Sequence, residues 1–168
     1  PDAAVPFERD VRVSGKLQVL KGKTPVSVGV VGTLPTGSDE ALSGGGGSLE
    51  LRAAVGYRAG KVAATGQLGY RGRGKVELAN LAVDDEVSFG AAASFEVSPK
   101  VWALAELYGA VGVQESGAGT RPVEAILGGR FGLGGGLSAQ AGAGFGLTRG
   151  YGTADVRVVA ALIYGLQT

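Results

Sequence analysis

Hydrophobic and polar residues alternate along most of the chain from Val11 onward. The period of two is the spacing of side chains on one face of a β-strand, and helical spacing is not sustained over any stretch. One face of every alternating segment lacks charged residues, serine, threonine, asparagine and glutamine. The pattern predicts nine strands, in the segments 11–19, 26–34, 49–57, 62–70, 87–97, 101–113, 123–133, 137–147 and 154–166.

The alternation is compatible with a soluble β-barrel or sandwich, whose apolar face forms a core, and with a membrane barrel, whose apolar face contacts lipid. Aromatic residues on the apolar faces lie near the strand ends, where rings would meet the headgroups of a bilayer. Two girdles are predicted: Tyr57, Phe95, Phe131 and Tyr164 near one rim, and Tyr70, Phe89 and Phe145 near the other. We therefore predict an all-β fold, an antiparallel transmembrane up-and-down β-barrel.

Short and long connections alternate between the predicted strands. Outer-membrane barrels have short periplasmic turns and longer external loops, so the last strand would end in the periplasm. Tight turns are predicted at 21–23, 59–60, 98–99 and 134–135, and longer loops at 35–47, 72–84 and 114–121, with a short exception at 149–152.

Nine strands do not close an ordinary antiparallel barrel, because bacterial barrels have an even number of strands. We expect an odd number of strands before Pro1, giving a complete barrel of about ten to twelve strands. Residues 1–10 would then be the remnant of an external loop, and residues 1–168 a single barrel domain. The alternative is that the chain has one strand more or fewer than the nine predicted, and the sequence leaves open whether another chain supplies the missing strands.

Composition excludes several classes of function. The 168 residues contain no cysteine, methionine or histidine, which rules out disulfides, thiolate or imidazole metal sites and nucleophile–histidine pairs. A net charge of +1 does not indicate a nucleic-acid partner. No apolar stretch reaches the ~18 residues of a transmembrane helix. We predict no cofactor and no enzymatic activity.

The face opposite the apolar one carries charges of both signs. It is either the weakly basic wall of a pore that favours anions, or a plugged interior whose charges pair with one another. The predicted lumen-lining residues are Arg12, Lys16, Glu50, Arg52, Arg58, Lys61, Arg71, Glu86, Glu96, Glu106, Glu124, Arg130, Asp155 and Arg157.

Three motifs superficially indicate other chemistry. Glu106 and Glu124 could form a glycosidase-like pair, but lumen acids on neighbouring strands explain them better. The glycine runs after residue 127 lack the context of a phosphate-binding loop, and small lumen-facing residues explain them better. The acidic run Asp84-Asp85-Glu86 could hold calcium, although a solvated loop is the simpler interpretation.

Several stretches together resemble the N-terminal barrel domain of OmpA-family proteins from myxobacteria and related bacteria. They are Asp10-Val11-Arg12-Val13, residues 33–37, Asp84-Asp85-Glu86, residues 105–109 and residues 146–153. The resemblance implies further strands upstream and a periplasmic peptidoglycan-binding domain after Thr168.

The leading hypothesis is a non-enzymatic barrel of the bacterial outer membrane, the membrane anchor of an OmpA-like envelope protein. Its partners would be membrane lipid and lipopolysaccharide. A porin-like diffusion channel for small solutes is the first alternative, and a soluble β-barrel binding module is the second.

Overall fold

The computed structural model describes residues 11–34, 47–78, 81–113, 121–150 and 153–165. This part of the chain is all-β and contains no helix, and accordingly no helix that could span a membrane. The strands are β1 (Val11–Leu20), β2 (Val26–Leu34), β3 (Ser48–Ala59), β4 (Val62–Arg73), β5 (Val76–Leu78), β6 (Leu81–Val83), β7 (Glu86–Ser98), β8 (Val101–Gly112), β9 (Val123–Gly134), β10 (Leu137–Gly146) and β11 (Val156–Tyr164).

Nine of these strands form one antiparallel sheet in chain order, β1-β2-β3-β4-β7-β8-β9-β10-β11. The predicted up-and-down arrangement of nine strands is therefore confirmed. The structure adds the small hairpin of β5 and β6 inside the segment 72–84, which the sequence predicted as a loop. Its two strands have three residues each, too few for an alternating pattern to be recognised.

The short connections lie together at one end of the sheet, which we call the turn end. They follow β1, β3, β7 and β9, and include the predicted turns. Gly60 and Gly135 have φ values of +54° and +58°, in the left-handed region that glycine adopts without steric cost. The opposite end, the loop end, holds the longer connections. Residues 1–10 and parts of the predicted loops at 35–47, 114–121 and 149–152 lie outside the described residues.

The sheet curls around its polar face. Arg12 on β1 and Arg157 on β11 line the same cavity of about 510 Å³, although seven strands separate them in the sheet. Each of these edge strands is hydrogen-bonded to one neighbour within the described residues, and both run from the loop end to the turn end. An antiparallel closure between them would therefore need an odd number of intervening strands.

Burial on the two faces of the sheet is the reverse of that in a water-soluble barrel, in which the apolar face is the buried one. Apolar side chains point outward and are exposed, for example Leu68 at 64%, Leu127 at 62% and Val158 at 81%. Carboxylates point inward, and Glu50 and Glu86 are the largest fully buried side chains of the described residues. The enclosed side of the curled sheet is thus polar.

Candidate functional site: the polar face of the sheet

Five charged residues near the loop end form what we call the loop-end network: Glu50, Arg52, Arg71, Arg73 and Glu86. Strand register places Glu50 opposite Arg71 and Arg71 opposite Glu86. Glu50 Oε1 lies 2.7 Å from Arg52 Nε, and its Oε2 lies 2.8 Å from Arg71 Nη2. Glu86 Oε2 lies 3.2 Å from Arg71 Nη1 and 3.0 Å from Arg73 Nη2. The two buried carboxylates are thus held by three guanidinium groups, as buried charges require.

A glycine in the middle of this network allows it to cross a strand. The hydroxyl of Ser88 on β7 donates to Glu50 Oε1 on β3 over 2.6 Å, although β4 lies between the two strands. Gly69 is the β4 residue at this level. A Cβ atom at position 69 would lie 2.6 Å from Ser88 Oγ and 2.9 Å from Glu50 Oε1. Only glycine leaves room for the bond.

Glu124 on β9 is likewise bonded to a side chain two strands away, on β11, with β10 between them. Arg157 on β11 donates from Nε and Nη2 to its carboxylate over 2.9 and 3.0 Å, and the Tyr108 hydroxyl donates over 2.7 Å. Gly144 on the intervening β10 lies opposite Arg157. A Cβ atom at position 144 would lie 3.0 Å from Ile126 Cγ1 and 3.5 Å from Arg157 Cβ. A bidentate ion pair therefore joins β9 to β11 across β10, and Gly144 leaves the space beside Arg157 open.

The acidic run at the loop end is engaged within the protein. The Tyr70 hydroxyl donates to Asp85, and the backbone N–H of Arg73 donates to Asp85 Oδ1 over 3.0 Å. These hydrogen bonds, that of Tyr70 first, lower the pKa of Asp85. Glu86 turns inward to its arginines. Among the described residues, no three acidic side chains are grouped as a metal site would require.

The turn end of the polar face carries a different set of charges. Arg58, Lys61, Lys100 and Arg130, which we call the turn-end cluster, line one cavity of about 620 Å³. Arg130 donates to Oε1 of the neutral Gln140 over 3.0 and 3.3 Å. Within the described residues, none of the four cations is in an ion pair.

The predicted lumen residues thus divide into two groups. Six of them meet in ion pairs: Glu50, Arg52, Arg71 and Glu86 in the loop-end network, and Glu124 with Arg157. The others are not brought into ion pairs with one another in the described part of the chain: Arg12, Lys16, Arg58, Lys61, Glu96, Glu106, Arg130 and Asp155. Asp155 lies just before β11, because this strand starts two residues later than predicted.

Alternation already assigns Tyr108 and Ser88 to the polar face, with Glu106 on β8 and Glu86 on β7, although neither is among the predicted lumen-lining residues. Trp102 and Arg73 were missed at the level of sequence. Trp102 shares the inward parity of Glu106, and Arg73 that of Arg71 on β4, so alternation could have identified both. No comparable signal marked Lys100, which lies in the turn before β8.

Six predicted girdle residues are exposed on the outward face, at the rims where they were expected: Tyr57, Phe95, Phe131, Tyr164, Tyr70 and Phe145. Phe89 also has outward parity but is half-buried. Its ring covers Gly109 on β8, with Cζ 2.7 Å from the place of a Cβ atom there. The Phe89 ring therefore lies on the outward face and covers the backbone of β8 at Gly109.

No protein-family model matches this chain, and no curated protein is similar enough to count as a relative.

Proposed function

We propose that this chain is a non-enzymatic β-barrel segment of a bacterial outer membrane, and that it anchors an envelope protein there. The observation that carries the proposal is the inverted burial. Leu68 and Val158 are exposed on the outward face while Glu50 and Glu86 are buried on the inward face. Exposure of so much apolar surface to water is unfavourable, at about 25 cal/mol per Å². Contact with lipid removes this cost.

The strand lengths agree with this role. The nine strands of the main sheet have 9 to 13 residues. A tilted transmembrane β-strand needs about 9–11 residues to cross the hydrocarbon layer. The turn end would face the periplasm and the loop end the exterior, since short turns are periplasmic in such barrels. Membrane lipid, and lipopolysaccharide at the external rim, are the partners this arrangement implies.

The charge pairing favours an anchor over an open pore. At the loop end, charged side chains of β3, β4 and β7 form ion pairs with one another. Arg157 on β11 forms an ion pair with Glu124 on β9, across β10. Paired and buried charges fill space and neutralise one another, whereas a conducting wall keeps its charges hydrated.

A diffusion channel is the second candidate, favoured by the cavities on the polar face. Spaces of about 550 and 620 Å³ lie between the middle of the face and the turn end. Single-channel conductance in planar bilayers separates the two functions. Stable open levels would favour the channel, and silence from correctly inserted protein would favour the anchor.

The membrane assignment is tested by fractionation of the chain expressed with a signal peptide. We expect it in the outer-membrane fraction, with different mobility on gels of heated and unheated samples. Recovery as a monodisperse monomer without detergent would contradict the proposal and favour a soluble binding module.

A matched pair of substitutions on β7 tests which face meets lipid. Ala91 points outward and is exposed, whereas its neighbour Ala92 points inward and lines a cavity. Near the middle of the strand, Ala91→Arg should lower the free energy of unfolding in lipid by about 2–4 kcal/mol. Ala92→Arg should be much milder because Glu106 lies opposite it. Equal losses in chemical denaturation from lipid vesicles would contradict the orientation.

A further inference from the structure

The turn-end cavity has the composition of a ligand site. Its wall is formed by the ends of β3, β4, β7, β8, β9 and β10, and it contains the four cations of the turn-end cluster. Among the described residues that line this wall, Glu96 is the one carboxylate. A volume of about 620 Å³ is within the range of small-molecule sites.

The four cations are not paired with carboxylates of the described residues. The arginines of the loop-end network each have a carboxylate partner, but the turn-end cluster has none in the part of the chain that the structure describes. Arg130 is oriented by the neutral Gln140, so its positive charge stays uncompensated. Like charges in one cavity repel one another, and an anionic ligand would remove that repulsion.

An aromatic side chain, Trp102, shares the cavity with the four cations. Trp102 lies opposite Arg130 on one side and opposite Glu96 on the other, so its indole shares the inward face with both. It lines the same cavity. Guanidinium groups bind phosphate in bidentate geometry, and lysines add point charges. An indole wall offers an apolar surface to the organic part of a ligand.

We propose that the turn-end cavity binds a small phosphate-bearing anion, with Arg58, Lys61, Lys100 and Arg130 as its cationic contacts and Trp102 as its apolar wall. This inference goes beyond the anchor function. It does not depend on membrane insertion, because the six strands that form the cavity are paired with one another in the described sheet.

The chain itself supplies the probe, since Trp102 is its single tryptophan. We would titrate the folded full chain in detergent micelles with pyrophosphate at constant ionic strength, following Trp102 emission and, independently, the heat of binding. We expect saturable binding, which equal ionic strength of sodium chloride does not reproduce. Absence of saturable heat and emission change at millimolar pyrophosphate would overturn the proposal.

Variants then test which cations are involved. Arg130→Gln and Lys100→Gln should each weaken pyrophosphate binding at least tenfold. The Lys100 side chain has no hydrogen bond or ion pair to another described residue, and its backbone carbonyl still accepts from Gly132 N–H after substitution, so Lys100→Gln should leave the fold unchanged. Lys16→Gln is the matched control, because it removes a cation from β1, away from this cavity. We expect a change of less than twofold there. Equal weakening by all three variants would indicate non-specific attraction and refute the site.

Discussion

At the loop end of the polar face, the carboxylates of Glu50 and Glu86 are buried and surrounded by guanidinium groups, whereas at the turn end four cations share one cavity with a single carboxylate of the described residues. Both ends lie on the inward face of one sheet and share β3, β4 and β7, while the turn end also draws on β8, β9 and the turns between strands. The difference teaches that alternation assigns a side chain to a face, but the register between strands decides whether it finds a partner.

The loop end is paired because cross-strand neighbours have complementary charges. Glu50, Arg71 and Glu86 follow one another across β3, β4 and β7. At the turn end, the register instead places Trp102 between Glu96 and Arg130, which keeps these opposite charges two strands apart. A cation there remains available to a ligand, and a charge at the loop end does not.

The largest effect that would test this comparison comes from removing one carboxylate at each end. Glu50→Gln should lower the free energy of unfolding by about 3 kcal/mol, because Arg52 loses its carboxylate partner and Arg71 keeps only Glu86 in a buried site. Glu96→Gln, at the turn end, should change it by less than about 0.5 kcal/mol. Urea unfolding of both variants in the same micelles measures the difference. Similar losses would mean that the two ends do not differ in pairing energy.

A smaller effect tests whether the loop-end network needs a glycine at position 69. Gly69→Ala should destabilise the chain by about 1–3 kcal/mol, since the new Cβ displaces Ser88 and Glu50. Gly66→Ala on the same strand is the control, because nothing lies within 4 Å of a Cβ atom there. It should be neutral or stabilise by less than about 1 kcal/mol. If thermal unfolding shows equal tolerance at both positions, Gly69 is not needed for the crossing.

The smallest effect concerns the hydrogen bond from the Tyr70 hydroxyl to Asp85 at the loop end. Because the Tyr70 hydrogen bond lowers the pKa of Asp85, the bond stabilises the fold above the ordinary pKa of aspartate. That contribution is lost as the pH falls through the lowered value. Tyr70→Phe should move the pKa of Asp85 upward, as followed by carboxyl NMR titration. Tyr57→Phe at the turn end should leave it unchanged; an equal shift in both variants would show that the Tyr70 hydroxyl is not the cause.

Much of the fold followed from the pattern of residues. All nine predicted strands of the sheet occur, because strict alternation over nine or more residues has few other structural explanations. The hairpin of β5 and β6 was missed since its strands are too short to show a period. The site was predicted less completely. Trp102 and Arg73 were overlooked, although their parity on β8 and β4 assigns them to the polar face.

The sequence by itself determined which side chains share a face, because side-chain direction alternates along any β-strand whatever its neighbours are. It could not determine which charges meet. The pairs of Glu50 with Arg71 and of Glu124 with Arg157 depend on register, on curvature, and on glycines that let side chains pass over a strand. Tertiary structure alone decided these features, since each joins residues far apart along the chain. The paired loop end and the unpaired turn end follow from that arrangement.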